Sequence, residues 1–267
     1  MLKQRIITAL ILLPIALGGF FLLDGSDFAL FIGLVVSLGA WEWARLAGLV
    51  SQVVRVAYAA VIAGLLMLLY LMPDLEPWIL GASVLWWGVA TWLVMTYPRS
   101  SELWASVACR LLIGALILLP AWQGLMVLKR AELGNWLILA VMVLVWGADI
   151  GAYFSGRAFG KRKLAPAVSP GKSWEGVYGG LALSLLITLC VGLNRHWSLG
   201  ELILAMLGAA LIVMGSVVGD LTESMFKRRS GIKDSSNLLP GHGGILDRID
   251  SLTAAIPLFA VLHWGLM

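Results

Sequence analysis

Apolar residues form nine long runs along this chain of 267 residues, and most polar residues lie between them. The runs lie near residues 6–23, 28–48, 54–72, 77–97, 107–128, 134–154, 175–193, 199–220 and 249–266. Each has close to the roughly 20 residues that a helix needs to cross a hydrocarbon core about 30 Å thick. The pattern therefore predicts nine transmembrane helices.

The composition supports this interpretation, since 60% of the residues are hydrophobic and only 13% are charged. So little charge does not cover the surface of a soluble globule of this size. Lipid offers the backbone no hydrogen-bond partner, so a spanning element is either a helix or a strand of a closed barrel. Barrel strands alternate polar and apolar residues, and these runs do not. We predict an all-α polytopic membrane protein.

The first run begins as a secretory signal peptide does, with Lys3 and Arg5 ahead of an apolar stretch. The stretch from Ile6 to Leu23 is too long for a signal peptide, and no small-x-small cleavage site follows it. We expect this run to be retained as the first membrane helix, with the N-terminus in the cytoplasm.

The basic residues test this topology, because cytoplasmic loops carry an excess of Lys and Arg. With nine spans and a cytoplasmic N-terminus, 16 of the 19 basic residues fall inside. Only Lys129, Arg130 and Arg195 fall outside. The two long polar segments, 155–174 and 221–248, then share the cytoplasmic face, as expected for the inner membrane of a bacterium.

The two halves of the chain carry different information. Residues 1–140 have short polar connections and are interpreted as a scaffold without catalytic residues, whereas residues 141–267 contain both long polar segments. Cys109 and Cys190 lie far apart on apolar runs without ligand-type spacing, and we predict that they are small buried hydrophobes. Function is expected in the C-terminal half, at the cytoplasmic interface.

Carboxylates stand at the ends of three predicted helices, where placing a charge near lipid is costly. Asp149 lies late in the sixth run, Asp220 closes the eighth, and Asp247 and Asp250 open the ninth. Asp247 and Asp250 are three residues apart and share one helix face. Two helix ends therefore supply carboxylates that can converge.

The eighth helix, if it continues beyond the lipid, places four polar residues on one face: Asp220, Glu223, Ser224 and Lys227. Simpler roles exist for some of these groups. Acids in a first helical turn complement the helix dipole, which accounts for Asp247 and Asp250. That effect does not account for Asp220 at a C-terminal end, although Lys227 could neutralise it.

Cations and glycines follow in the same segment, as "KRRSGIK" (227–233) and "PGHGG" (240–244). Carboxylates for Mg²⁺, cations for phosphate oxygens and exposed backbone amides together suit a site that handles phosphates. The cations alone also suit attraction to anionic lipid headgroups. His242 by itself is too little for a metal site.

The other long segment contains "SPGKS" (169–173), which is similar to the end of a Walker A motif. We reject that match, because the upstream glycine is missing and no strand is predicted before it. Gly171, Lys172 and Ser173 could still hold a phosphate at the N-terminus of the seventh helix.

Residues 224–250, "SMFKRRSGIKDSSNLLPGHGGILDRID", resemble the full signature of the phosphatidate cytidylyltransferases, the CDP-diacylglycerol synthases. The specified positions match without a gap. The resemblance extends upstream to Gly219 and Asp220, to "SPGKSWEG" and to "ADIGAYFSGRAFG" (148–160). Ser173 stands where Thr is commoner, a conservative exchange of one hydroxyl for another.

The resemblance implies that CTP and phosphatidic acid react at the cytoplasmic face to give CDP-diacylglycerol and pyrophosphate, with Mg²⁺. Metal ligands are then expected at Asp220, Asp247 and Asp250, and these with Lys227 form the catalytic set. Substrate contacts are expected at Lys172, Ser173, Arg228, Lys233, His242, Gly243, Gly244, Arg248 and Asp149. Whether a second cation binds is left open.

The expected partners are CTP, phosphatidic acid and the lipid bilayer, with no nucleic acid. A homodimer is left open, because Gly179, Gly180 and Ala182 suit helix packing within one chain or between two. A transporter with a proton relay at Asp149 and Asp220 is one alternative. A CDP-alcohol phosphotransferase lacks support, because its Asp-Gly-x-x-Ala-Arg run is absent. A CTP-dependent lipid kinase remains as a third alternative.

Overall fold

The computed structural model describes residues 2–265, with the side chains of residues 2–7 and 9 outside the description. Nine α-helices are found in that part of the chain: α1 Leu2–Phe21, α2 Gly25–Leu46, α3 Gln52–Leu71, α4 Glu76–Thr96, α5 Val107–Arg130, α6 Gly134–Phe159, α7 Trp174–Asn194, α8 Leu199–Arg229 and α9 Leu246–Gly265. Between α6 and α7, strands β1 (Lys163–Ala165) and β2 (Ser169–Ser173) form an antiparallel hairpin.

The helical prediction is confirmed, because each apolar run coincides with one helix. The helix ends differ from the predicted ones by up to five residues, except that α8 continues nine residues beyond position 220. The hairpin was not predicted, and "SPGKS" is itself strand β2. Residue 266 of the ninth run and the side chains of Lys3 and Arg5 lie outside the description.

Seven helices, α2 to α8, are long and apolar enough to cross a membrane. In α1 the fully described part contains the apolar segment Leu10–Phe21. In α9 the first turns are polar, because Asp247, Arg248 and Asp250 lie there. The chain is therefore a multi-pass membrane protein.

Ion pairs join three connections at one end of the helix bundle. Lys129 Nζ lies 3.1 Å from a carboxylate oxygen of Asp24, and Arg130 pairs with Glu76. These contacts link the ends of α5 to the α1–α2 and α3–α4 connections. The nine-span topology places all three connections on one side, and acid partners offset two of the three cations that it places outside.

Large aromatic residues pack the N-terminal helices against α8. The Trp43 and Trp104 rings lie 4.7 Å and 4.4 Å from the ring of Phe226, measured between centroids. Trp43 also donates a hydrogen bond from its indole to the Arg110 carbonyl at 2.7 Å. The last turns of α8 are therefore held by the scaffold half of the chain.

Glycines allow α6 and α7 to pack with their backbones in contact. A Cβ on Gly151 would lie 2.4 Å from the Gly179 carbonyl oxygen, and one on Gly180 would lie 2.7 Å from the Ala148 carbonyl oxygen. Gly179 and Gly180 therefore serve packing within the chain. Ala182, in contrast, is exposed on α7.

The prediction for the cysteines is wrong for Cys190, which is exposed, and Cys109 is only partly buried. Cys190 lies on a face of α7 that no other helix covers. Because α7 is apolar on all sides, the sequence does not distinguish the packed face from the face toward lipid.

Candidate active site

A cavity of about 410 Å³ lies between α6, α7, α8 and the hairpin. Four of the predicted site residues line it, namely Asp149, Lys172, Ser173 and Asp220. Its remaining wall is largely apolar, with Ala148, Ala152, Val177, Val213 and Val217 among the lining residues. The cavity thus combines charged groups and an apolar wall.

The length of α8 places its acid beside the cavity. A capping box at Ser198 and Glu201 begins the helix, which runs without a break to Arg229. Ser224 therefore lies one turn beyond Asp220 and donates a hydrogen bond to its Oδ1 at 3.2 Å. Lys227 pairs with Glu223 on the same face at 3.1 Å. The predicted shared face is confirmed.

The hairpin brings a cation to Asp220. Lys172 Nζ on β2 lies 2.6 Å from Asp220 Oδ2, and both side chains are 28% exposed. Ser173 caps α7 by accepting a hydrogen bond from the Gly176 amide at 3.2 Å. The same helix end therefore carries a hydroxyl and an ammonium group into the cavity.

Glu175 holds the base of the hairpin. Its Oε2 accepts hydrogen bonds from the backbone amides of Lys161 and Arg162, each at 3.1 Å, and its Oε1 accepts one from Arg162 Nε at 3.1 Å. The bond from Glu175 raises the pKa of the Arg162 guanidinium above its ordinary value. These bonds fix the strand that carries Lys172.

Asp247 is bound on every side by the protein itself. Its Oδ1 lies 2.9 Å from Lys227 Nζ. Its Oδ2 accepts hydrogen bonds from the Gly244 amide at 2.7 Å, the Ser235 amide at 3.0 Å and the Ser235 hydroxyl at 2.9 Å. The carboxylate is only 6% exposed. It joins the end of α8, the connecting loop 230–245 and the start of α9.

Asp250 has fewer partners than Asp247. The Ser251 amide donates a hydrogen bond to its Oδ1 at 2.7 Å. The negative charge of Asp220 is close enough to act on it, as are the positive charges of Lys227 and Lys172. Asp220 also acts on Asp149. The charge of Asp220 therefore acts on both Asp149 and Asp250, and the Lys172 ammonium offsets it at both.

The remaining predicted cations lie outside the cavity lining. Arg228 Nε donates a hydrogen bond to the Val168 carbonyl in the hairpin turn at 3.1 Å, so it joins the hairpin to α8. Lys233 and Arg248 are exposed, and their side chains form no hydrogen bond or ion pair with any residue that the structure describes.

The glycine segment approaches protein carboxylates. Gly243 has φ +84°, and a Cβ there would lie 2.6 Å from Asp247 Oδ2. A Cβ on Gly244 would lie 2.4 Å from Glu42 Oε1. The His242 amide closes the turn on the Leu239 carbonyl at 2.9 Å. Its buried Nδ1 has no hydrogen-bond partner within residues 2–265. None of these three residues lines the cavity.

Sequence reasoning missed three residues of this region. Tyr153 and Arg157 line the cavity, and their spacing of four and eight residues from Asp149 on a helix indicates the shared face. Glu42 on α2 is fully buried and accepts hydrogen bonds from the connecting loop. Its signal is a carboxylate inside an apolar run, in "WEWAR".

The carboxylates suit a magnesium ion without forming a complete set of ligands. No group of three or more His, Cys, Asp or Glu side chains in the described residues could hold a metal. Mg²⁺ commonly takes one or two carboxylates and completes its octahedron with water and substrate phosphates. Asp149 has no hydrogen-bond or ion-pair partner among the described residues, and Asp250 has one hydrogen bond. The residues therefore fit this ion.

Comparison with known proteins gives a consistent result. A model of the cytidylyltransferase family matches residues 3–265. A phosphatidate cytidylyltransferase of Pseudomonas aeruginosa is 73% identical over 265 residues, which cover 99% of this chain and 98% of that protein. One from Haemophilus influenzae is 43% identical over 288 aligned positions, covering 99% of each chain. One from Staphylococcus saprophyticus is 45% identical over 125 residues, about half of each chain.

The family match and the two full-length relatives extend over the scaffold helices as well as the cavity, so they do not depend on a short motif. The chain therefore belongs to the cytidylyltransferase family.

Proposed function

We propose that this protein transfers the cytidylyl group of CTP to phosphatidic acid, giving CDP-diacylglycerol and pyrophosphate for phospholipid biosynthesis. The observation that carries the proposal is the cavity in which Lys172 meets Asp220 above an apolar wall. Such a cavity suits a reaction between a charged nucleotide and a lipid headgroup. Its two full-length relatives are named phosphatidate cytidylyltransferase, the enzyme of this reaction.

The chemistry needs no general base, because the attacking phosphate oxygen of phosphatidic acid is already anionic. That oxygen attacks the α-phosphorus of CTP while the bond from this phosphorus to the pyrophosphate oxygen breaks. Catalysis then depends on positioning and on balancing charge. Lys172 serves both, because its ammonium is only partly buried and can move from Asp220 to a substrate phosphate.

The other residues divide into three groups by their position. Ser173, Asp149 and the N-terminal turn of α7 contact substrate inside the cavity. The exposed cations Lys233 and Arg248 attract anionic phosphatidic acid or CTP toward the active site. Arg228, His242, Gly243 and Gly244 maintain the loops, and their predicted direct contacts with substrate stay a prediction.

Mg²⁺ would be held by Asp220 and Asp250, with Asp149 nearby. The ion would neutralise phosphate oxygens of CTP and so stabilise the charge of the leaving pyrophosphate. Asp247 stays a predicted ligand, but its oxygens already accept bonds from Lys227, Ser235 and Gly244. The geometry therefore favours Asp220 and Asp250 over Asp247.

The bundle end with the hairpin would face the cytoplasm, in the inner membrane of a bacterium. CTP is a cytoplasmic nucleotide, and the basic residues of both long segments are at this end. A transporter is less well supported, because Asp149 and Asp220 line a cavity that the hairpin and its Lys172 help to form.

The test uses the purified full-length protein in detergent with phosphatidic acid, Mg²⁺ and CTP. We expect label from the α-phosphate of CTP to enter lipid, with release of pyrophosphate. Label from the γ-phosphate should stay out of lipid. Transfer of the γ-label with formation of CDP would replace this proposal with a lipid kinase, and no transfer of either label would refute both.

A further inference from the structure

Glu42 connects the scaffold half of the chain to the active site. It lies on α2 and its side chain is fully buried. Its Oε1 accepts hydrogen bonds from the Ser236 hydroxyl at 2.5 Å and the Ile245 amide at 3.0 Å. Its Oε2 accepts bonds from the Leu246 amide at 2.7 Å and the Ser235 hydroxyl at 3.2 Å. One carboxylate thus binds four donors about 200 positions away in sequence.

One of these donors, the Leu246 amide, is the first backbone amide of α9, and another, the Ile245 amide, directly precedes the helix. The first four amides of a helix lack partners within the helix, and a carboxylate there stabilises them as a cap. The cap of α9 is therefore supplied by another helix. This fixes the position and direction of the turn that carries Asp247 and Asp250.

Ser235 links Glu42 to the neighbouring carboxylate of Asp247. Its hydroxyl lies 3.2 Å from Glu42 Oε2 and 2.9 Å from Asp247 Oδ2. A hydroxyl has one proton and donates to one acceptor at a time, while the Ser235 amide also serves Asp247. Glu42, Ser235, Asp247 and Lys227 consequently form one continuous chain of polar contacts.

The surrounding backbone leaves this carboxylate little freedom. Arg45, one turn beyond Glu42, donates a hydrogen bond to the Ser235 carbonyl at 3.3 Å. The Ser230 hydroxyl donates one to the Leu46 carbonyl at 2.8 Å. Gly244 passes so close to Glu42 that no larger residue fits. α2 therefore holds the connecting loop at both of its ends.

We propose that Glu42 is a positioning residue of the active site: it sets the placement of Asp247, Lys227 and Asp250 without touching substrate. The proposal rests on the function proposed above. It assigns a role to the scaffold half, because an error of about 1 Å in a catalytic group can cost about 100-fold in rate.

The test compares Glu42→Gln, Glu42→Asp and Ser236→Ala with wild type. Gln replaces one acceptor oxygen by an amide donor that faces other donors, whereas Asp keeps the charge on a shorter side chain. We expect kcat per folded molecule to fall about 10- to 100-fold in Glu42→Gln, with KM for CTP within about threefold. Glu42→Asp should recover part of the loss, and Ser236→Ala should show a smaller fall.

Tyr58→Phe serves as the matched control. It removes a hydrogen bond of 2.8 Å from the Tyr58 hydroxyl to the Leu111 carbonyl, between α3 and α5 and away from the cavity. We expect a lower unfolding temperature with wild-type kcat. All variants are measured by size exclusion, thermal unfolding and transfer of label from α-labelled CTP.

The outcomes separate the two proposals. If wild type forms no CDP-diacylglycerol, the proposed function fails. If wild type is active and Glu42→Gln keeps kcat within twofold, the positioning role is refuted. If Glu42→Gln does not fold, the other two variants decide: a fall in kcat at constant KM supports the role, and wild-type kcat in both refutes it.

Discussion

Two ion pairs lie two turns apart on one face of α8, and they differ in how firmly the protein holds them. Lys172 and Asp220 face the cavity, are each 28% exposed and have few other partners. Lys227 and Asp247 are nearly buried and belong to a network with Glu223, Ser235 and Gly244. The first pair can exchange its partner for a ligand, whereas the second holds the backbone in place.

The residues that make the family recognisable in the sequence are therefore largely different from the residues that face the cavity. Much of the signature segment 224–250, including "PGHGG", builds the buried network around Lys227 and Asp247. The charged groups that line the cavity come from α6, the hairpin and α8. A motif can therefore identify a family through residues that shape the site without lining it.

The largest effect is expected from Asp247→Asn. The change leaves Lys227 short of one buried partner and places an amide group against backbone donors. Removing one partner of a buried pair costs about 3–5 kcal/mol. We expect a large fall in unfolding temperature together with loss of activity. A variant as stable as wild type but inactive would show that Asp247 acts directly on metal or substrate.

Asp220→Asn should separate activity from stability. The carboxylate is partly exposed, so its loss releases Lys172 without leaving a deeply buried charge. We expect activity to fall about 100- to 1,000-fold, as for loss of one group that stabilises transition-state charge. The unfolding temperature should stay close to that of wild type. Activity within tenfold of wild type would remove Asp220 from the reaction.

The helices could be predicted from the sequence because lipid imposes one requirement on every span. An apolar run of the right length has no alternative to a helix in this composition. The shared face after Asp220 was expected only if α8 continued past its apolar run, and the helix does continue to Arg229. The hairpin could not be found in the same way, because "KLAPAVSPGKS" shows no clear alternation and contains two prolines.

The site could be predicted in its residue types but not in its geometry. The sequence identified Asp220 and Asp247 as acids at helix ends. It did not show that Asp220 faces the cavity, whereas the oxygens of Asp247 already accept hydrogen bonds from the protein itself. Glu42 was missed because its partners lie in another part of the chain, 193 to 204 positions away. Local patterns carry no information about such contacts.

Gly244→Ala tests how tightly the backbone packs against the buried network of Glu42, Ser235 and Asp247. A Cβ at this position would lie 2.1 Å from the Ser235 hydroxyl and 2.4 Å from Glu42 Oε1. Forcing extra volume into a packed region costs about 1–3 kcal/mol. We expect a lower unfolding temperature and reduced kcat, measured as above. Gly88→Ala on α4, where the added Cβ meets nothing within 4 Å, is the matched control.

Lys233→Gln should have the smallest effect, because this side chain is exposed and forms no bond with a described residue. A cation near an anionic lipid surface contributes about 1 kcal/mol to attraction, which corresponds to about fivefold in apparent affinity. We expect KM for phosphatidic acid in vesicles to rise by up to that factor, with kcat and stability unchanged. Salt screens such attraction over about 8 Å at physiological ionic strength, so the difference from wild type should shrink as salt rises. A loss of kcat that salt does not change would instead place Lys233 in contact with the reacting phosphates, as part of the active site.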